Sequence, residues 1–215
     1  VLMTDGYEPY NQVAKTNKLV HLACWAHCRR YFNDAVQALP KDKRGPEQLA
    51  VQFMELIGKL YHVESVARKE ELDARALMLR RREHSIPVLK NIEALLLAKL
   101  HAVAPATLLG KALHYAHGQW SKLQRYADDG EYPIDNNACE NSIRPFVIGR
   151  RNWLFADTVA GANASANLYS LLQTCKANGI DGYSYLRRLL IALPKASTAD
   201  DYDALLPWSI SIAAN

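Results

Sequence analysis

The sequence predicts an α/β fold that is mostly α. Two short runs near the start, 1–4 and 19–25, have the length and the residue types of strands. Beyond them, apolar residues recur at spacings of three and four, the period of a helix packed by one face. Between 41 and 130 no segment carries a strand signal, so that stretch reads as all helical.

The elements follow in order. Residues 1–4 run straight into Asp5-Gly6, a strong turn pair, and so read as the end of a strand. The chain opens on Val1 rather than Met, and the expectation is that sequence has been lost upstream. Asn11 can cap a short helix through Lys15. The run 19–25 is compact and apolar, as a buried strand is. From Ala26 the period changes, and Phe32, Ala35, Val36 and Leu39 suit a helix that ends before Pro40. Residues 41–46 have linker composition. Leu49, Phe53, Leu56, Leu60 and Val63 then mark one buried helix face. Residues 64–83 mix six basic with five acidic side chains and read as a solvated helix, the Arg80-Arg81-Arg82 run included. Further helices are expected over 88–100 and 108–126, closed by Asp128-Asp129-Gly130. Residues 132–137 read as extended, then turning. Asn136 or Asn137 can cap a helix starting near Ala138, which Pro145 limits or kinks. Residues 149–155 read as a loop, followed by helices over 161–177 and 182–192 and a short tail from Ser197.

Composition excludes several classes. Hydrophobic residues are 49% of the 215 and charged residues 22%, a globular balance that rules out wholesale disorder. The uncharged apolar runs, 94–98 among them, are far short of the roughly 20 residues a bilayer span needs. Cys24, Cys28, Cys139 and Cys175 are too few for a disulfide scaffold and read as reduced thiols of a cytoplasmic protein. The net charge of +4 is mild, so the placement of basic residues matters more than their number. No P-loop, Gly-x-Gly-x-x-Gly, nucleophile elbow or His-Glu-x-x-His is present, which removes sequence support for ATP hydrolysis, dinucleotide binding, serine hydrolysis and zinc proteolysis.

Four groups of residues could carry chemistry. Asp5 ends a strand, a usual position for a metal ligand, although Asp-Gly is also an ordinary turn. Glu140 falls in a first helical turn, where the helix dipole stabilises an acid by roughly 0.3–1 kcal/mol; Asn137, Asn141 and Arg144 lie on nearby faces. Arg29, Arg30, Arg144, Arg150 and Arg151, with Asn152 and Trp153, suit phosphates and unstacked bases. Arg144, Arg150 and Arg151 are expected beside the Glu140 carboxylate. His21, Cys24, His27 and Cys28 are of the types zinc takes, but their spacing matches no finger and a strand-to-helix transition runs through them. A small zinc-binding helical interaction module built on Cys24 and Cys28 is the rival reading of a different class.

Taken together, these motifs are recognisable. Thr4-Asp5-Gly6-Tyr7 with Tyr10-Asn11, Cys24-Trp25-Ala26-His27-Cys28-Arg29-Arg30, Ile134-Asp135-Asn136-Asn137 with Glu140-Asn141 and Ile143-Arg144-Pro145, Gly149-Arg150-Arg151-Asn152-Trp153-Leu154-Phe155, and Tyr169-Ser170-Leu171 with Thr174-Cys175-Lys176 and Asn178-Gly179 occur in this order. The string resembles the transposases of the insertion-sequence-66 family of bacteria, over nearly the whole sequence and including the closing Leu205-Leu206-Pro207-Trp208. The resemblance implies a partial ribonuclease-H-like core, 1–40 and 131–196, interrupted by a helical insertion, 41–130, and followed by a tail, 197–215. It implies three metal-ligating carboxylates of DDE type. Asp5 matches the second Asp and Glu140 the Glu; the first Asp lies outside this sequence, so the chain alone is expected to cut DNA feebly or not at all. Asp135 precedes the Glu140 helix and is not expected to substitute. The implied cofactor is Mg²⁺ (or Mn²⁺), whose hard-oxygen preference suits carboxylates, in a two-metal displacement at phosphorus. The implied partners are DNA, as element ends and target, and further copies of the protein, with no membrane. A non-catalytic remnant that binds DNA or transposase subunits is the nearer rival.

Overall fold

Strand β1 (Leu2–Thr4), helix α1 (Pro9–Thr16) and strand β2 (His21–Ala23) open the chain as a β–α–β element. The computed structural model describes residues 1–209, which fall into two compact units, 1–138 and 139–209; residues 210–215 of the expected tail lie outside the described residues. The strands pair in parallel with Leu2 opposite His21, Met3 opposite Leu22 and Thr4 opposite Ala23. Pro9 sits in the first turn of α1, where its fixed φ suits a helix and its missing N–H costs nothing. All three residues of β2 are buried, as a parallel strand requires.

The second strand is shorter than the run 19–25 suggests. Cys24 is extended and caps α2 (Trp25–Gln37), so Trp25 is already helical. Its N–H bonds the carbonyl of Ile134 at 3.1 Å and its indole N–H donates to the carbonyl of Leu123 at 2.8 Å. Both partners come from far along the chain, which local pattern does not reveal.

Helix α3 (Leu49–Lys69) buries Phe53, Ile57, Leu60 and Val63; Leu49 and Leu56 of the expected seam are only partly buried against the same core. The expected solvated helix over 64–83 is not continuous. Helix α3 stops where Glu71 turns left-handed at φ 51°, with Leu72 N–H on the Ala67 carbonyl (3.0 Å) and Glu71 N–H on that of Arg68 (3.3 Å), the Schellman pattern. Asp73 then caps α4 (Ala74–Arg80) by accepting the Ala76 N–H at 2.8 Å. A π-helical turn over Arg81–Ser85 leads into α5 (Ile86–Lys99). Arg81 is 1% exposed rather than solvated. Helix α6 (Leu108–Leu123), capped by Thr107, and a 3₁₀ turn over Gln124–Asp128 complete the helical block.

This block and residues 1–40 share one core. Phe32 of α2 stacks on Phe53 of α3 at 4.4 Å, and Trp25 meets Trp120 of α6 edge-on at 6.1 Å. Helix α2 packs against both α3 and α6. Full burial of each such aromatic side chain contributes about 1.5–3 kcal/mol.

Helix α7 (Asn137–Trp153) leads into the second unit, which contains α8 (Val159–Ala177), α9 (Gly182–Ala192) and α10 (Ala199–Asp203). The expected loop at 149–155 is largely helix: α7 continues through Pro145 to Trp153. Phe146 and Trp153, seven residues apart and so on one helix face, both pack on Tyr169 of α8, at 5.2 and 6.1 Å. Gly149 makes room for the returning Trp153 ring, because a Cβ there would collide with it. Helix α8 ends at Gly179, φ 67°, where Ile180 N–H bonds the Cys175 carbonyl at 2.9 Å. A small core of Cys175, Tyr185 and Leu189 joins α8 to α9. The tail is not featureless: Thr198 and Asp201 form a capping box at α10. Among the described residues, no helix is long and apolar enough to cross a membrane.

Candidate functional site

Asp5 follows the last residue of β1 and is exposed. Its Oδ1 accepts the Tyr7 N–H at 3.0 Å, a local turn bond that orients the carboxylate. Its main-chain carbonyl accepts the Tyr115 hydroxyl of α6 at 2.6 Å. Gly6 takes φ 99°, a left-handed conformation that an L side chain resists. Tyr31 of α2 stacks on the Tyr115 ring at 4.5 Å. Lys122 Nζ donates to Asn11 Oδ1 (2.7 Å) and to Gln119 Oε1 (3.0 Å), so α6 also grips α1 just beyond the turn.

The approach to α7 is pinned with equal density. Ile134 is buried and its carbonyl accepts the Trp25 N–H. Asp135 precedes α7 and both its oxygens are engaged: Oδ2 accepts the Tyr61 hydroxyl of α3 at 3.0 Å, and Oδ1 accepts the Asn137 N–H at 3.1 Å. Burial pushes the Tyr61 and Tyr115 hydroxyls well above the usual phenol range, so both remain donors at neutral pH. Glu140 lies half-buried in the first turn of α7. A carboxylate there is favoured by the helix dipole.

Upstream, Arg81 fastens the same segment. Its guanidinium pairs with both Glu64 oxygens at 2.8 and 2.7 Å and donates to the carbonyls of Tyr126, Asp129 and Tyr132 at 2.6, 2.6 and 3.0 Å. It also lies 5.0 Å from the Tyr126 ring centre.

The basic residues lie on two helices, α2 and α7. Arg29 and Arg30 are exposed in the first half of α2. Arg144 is exposed one turn past Glu140. Arg150 and Arg151 are exposed in the last turn of α7, about 15 Å beyond Glu140 by helix rise, so they are not beside its carboxylate. The expectation that they would be came from reading 149–155 as a loop that could turn back. Asn152 and Trp153 end the helix; Trp153 is 40% exposed despite its aromatic contacts, and Leu154 after it is left-handed at φ 59°.

The zinc reading is corrected. Cys24 and Cys28 are buried, and burial raises both thiols above their usual range, against the thiolate that zinc requires. His21 Nε2 is held by Thr4 Oγ1 at 2.9 Å. Among the described residues, no group of three or more His, Cys, Asp or Glu side chains could hold a metal ion.

Sequence reasoning missed Tyr61, Tyr115 and Arg81. A tyrosine on a helix surface looks the same whether its hydroxyl meets water or a main-chain carbonyl 110 residues away. Arg81 had a weak signal, in that only one acid directly follows the Arg run, but nothing singled out the middle arginine.

Asp5 and Glu140 each carry the carboxylate oxygens that a hard divalent ion prefers, and Asp5 is exposed. Comparison with known proteins supplies the family. The family described as Transposase IS66 family matches residues 1–164, and the IS66 C-terminal element matches residues 170–208. Three proteins of Sinorhizobium fredii (strain NBRC 101917 / NGR234) are similar over 97% of this chain. The uncharacterized protein y4qI is 32% identical over 39% of its own length, y4jD 31% over 41%, and y4hP 25% over 39%. The chain thus spans about two-fifths of the length of these relatives. No solved structure matches it. With three-quarters of its length matched by one family and most of the remainder by that family's C-terminal element, the chain belongs to the IS66 family of transposases.

Proposed function

We propose that these residues form part of the catalytic region of a DDE transposase that cleaves and transfers DNA strands at the ends of a bacterial insertion sequence. The observation that carries the reading is the family match across 1–164, which takes in both an acid at the carboxyl end of a parallel strand, Asp5, and an acid opening a helix, Glu140. In this proposal β1, β2 and the helices around them are a portion of a ribonuclease-H-like core, 41–130 is an insertion into it, and 131–196 returns to it. Asp5 and Glu140 hold Mg²⁺ or Mn²⁺, and a third carboxylate comes from outside these 215 residues. Bound there, the ion would activate the attacking oxygen and stabilise the leaving one in an in-line displacement at phosphorus. The residues of this chain bind and orient: Asp5 is aimed by its turn, Glu140 is held on a helix, and Arg29, Arg30, Arg144, Arg150, Arg151, Asn152 and Trp153 neutralise phosphates and stack on bases. The partners are insertion-sequence ends, target DNA and further copies of the protein, and the site of action is the cytoplasm.

The test is Mn²⁺ binding by this chain, read from the electron-paramagnetic signal of the free ion. Asp5→Asn and Glu140→Gln should each weaken binding at one common site, and both together should do little more than either. Independent losses, or none, would contradict a shared site. The remnant reading predicts DNA binding without a Mn²⁺ site sensitive to either acid.

A further inference from the structure

We propose that Tyr115 and Tyr61, both supplied by the helical block, are positioning residues for the two metal-ligating acids: Tyr115 sets the Asp5 turn and Tyr61 sets the entry to the Glu140 helix. The inference rests on the metal-site reading of Asp5 and Glu140.

Tyr115 donates to the main-chain carbonyl of Asp5, not to its carboxylate. It therefore fixes the residue while leaving the carboxylate to a ligand. Helix α6 sits directly on the turn. A Cβ added to Gly6 would lie 3.2 Å from the Tyr115 ring and from the Gln119 side-chain amide, closer than ordinary packing allows. The ring is itself held by the Tyr31 stack, and the Lys122–Asn11 bond ties the same helix to α1. The Asp5 turn is thus gripped from one helix on both sides.

Tyr61 plays the matching part on α3. It donates to Asp135 Oδ2, whose other oxygen accepts the N–H of the first residue of α7. Asp135 is in this way a link between the helical block and the start of the helix that carries Glu140. Both of its oxygens are engaged in this link. A group that fixes a metal ligand from outside the coordination shell changes metal affinity without touching the ion. The block between 41 and 130 then supplies two hydroxyls, 54 residues apart in sequence, one on the Asp5 carbonyl and one on the carboxylate that accepts the first N–H of α7.

Tyr115→Phe and Tyr61→Phe remove one oxygen each and keep the rings. The experiment measures Mn²⁺ affinity, the thermal midpoint and amide hydrogen exchange in the same 215-residue chain. Each variant should lose roughly 10-fold in Mn²⁺ affinity, the low end for outer-shell partners of metal ligands. Exchange should quicken at residues 5–8 for Tyr115→Phe and at 135–138 for Tyr61→Phe, while protection within α2 and α3 holds. Unchanged affinity and exchange in the two variants, with affinity still lost in Asp5→Asn, would overturn the positioning role alone. Unchanged affinity in Asp5→Asn would overturn the metal site and the positioning claim with it.

Discussion

Replacing Arg81 with Met should be among the most damaging single changes in this chain. The side chain is 1% exposed and its partner Glu64 has 10% of its side chain exposed. Two guanidinium N–H groups serve Glu64, and three further bonds satisfy the carbonyls of Tyr126, Asp129 and Tyr132. Methionine fills similar space but leaves Glu64 charged, buried and unpaired. Removing one member of a buried pair costs about 3–5 kcal/mol, and the orphaned carbonyls add to that cost. Urea unfolding followed by far-ultraviolet circular dichroism measures it: the midpoint should fall with little change in slope. Adding Glu64→Gln should recover part of the stability by removing the stranded charge, but not all, because the three carbonyls still lack their donor. Arg81→Lys should rescue poorly, since an ammonium cannot reach five acceptors as a planar fork does. A cost below about 1 kcal/mol for Arg81→Met, the value of an exposed ion pair, would show that Arg81 does not act as a buried pair.

Three further outcomes follow from other parts of the molecule. Burial, with Lys122 and Arg125 adding to it, lowers the His21 pKa below its ordinary value; the unfolded chain then binds the proton first as pH falls, so the His21 contribution to stability is full above about pH 6.5 and is lost as pH falls below it, and His21→Gln should flatten the pH dependence of the urea midpoint below about pH 6.5. Replacing Arg144, Arg150 and Arg151 together with Ala should weaken DNA binding and reduce the slope of log affinity against log salt by about 0.9 for each phosphate left without its arginine, measured by fluorescence anisotropy across a salt series; an unchanged slope would remove these residues from the interface. Glu71→Gly relieves a left-handed position that costs a non-glycine residue about 1 kcal/mol, so it should raise the thermal midpoint by about 2–4 °C, and a lowered midpoint would count against the Schellman reading.

What could be read in advance depended on whether the cause was local. The buried face of α3 and the run of helices from Leu49 to Leu123 follow from period alone, and the Asp5-Gly6 turn and the Gly179 helix end follow from residue type. The break after Lys69 did not, because Glu71 occupies a left-handed position that glycine usually signals. Trp25 joined a helix rather than a strand because its hydrogen-bond partners lie at Leu123 and Ile134. Helix α7 outran its proline because Phe146 and Trp153 share a face against Tyr169. Asp5 and Glu140 are candidates by residue type and position, whereas the hydroxyls that bond the Asp5 carbonyl and the Asp135 carboxylate come from a helical block that carries no motif of its own.

We propose that Asp5 and Glu140, 135 residues apart, serve one divalent metal site. Fe²⁺ bound in place of Mg²⁺, with ascorbate and peroxide, releases hydroxyl radicals that cut the polypeptide only close to the ion. A shared site should give two clusters of cuts, one around residue 5 and one around residue 140, both suppressed by excess Mg²⁺ and both absent from Asp5→Asn and from Glu140→Gln. Cuts at only one of the two positions, or a pattern indifferent to Mg²⁺ and to both substitutions, would contradict it.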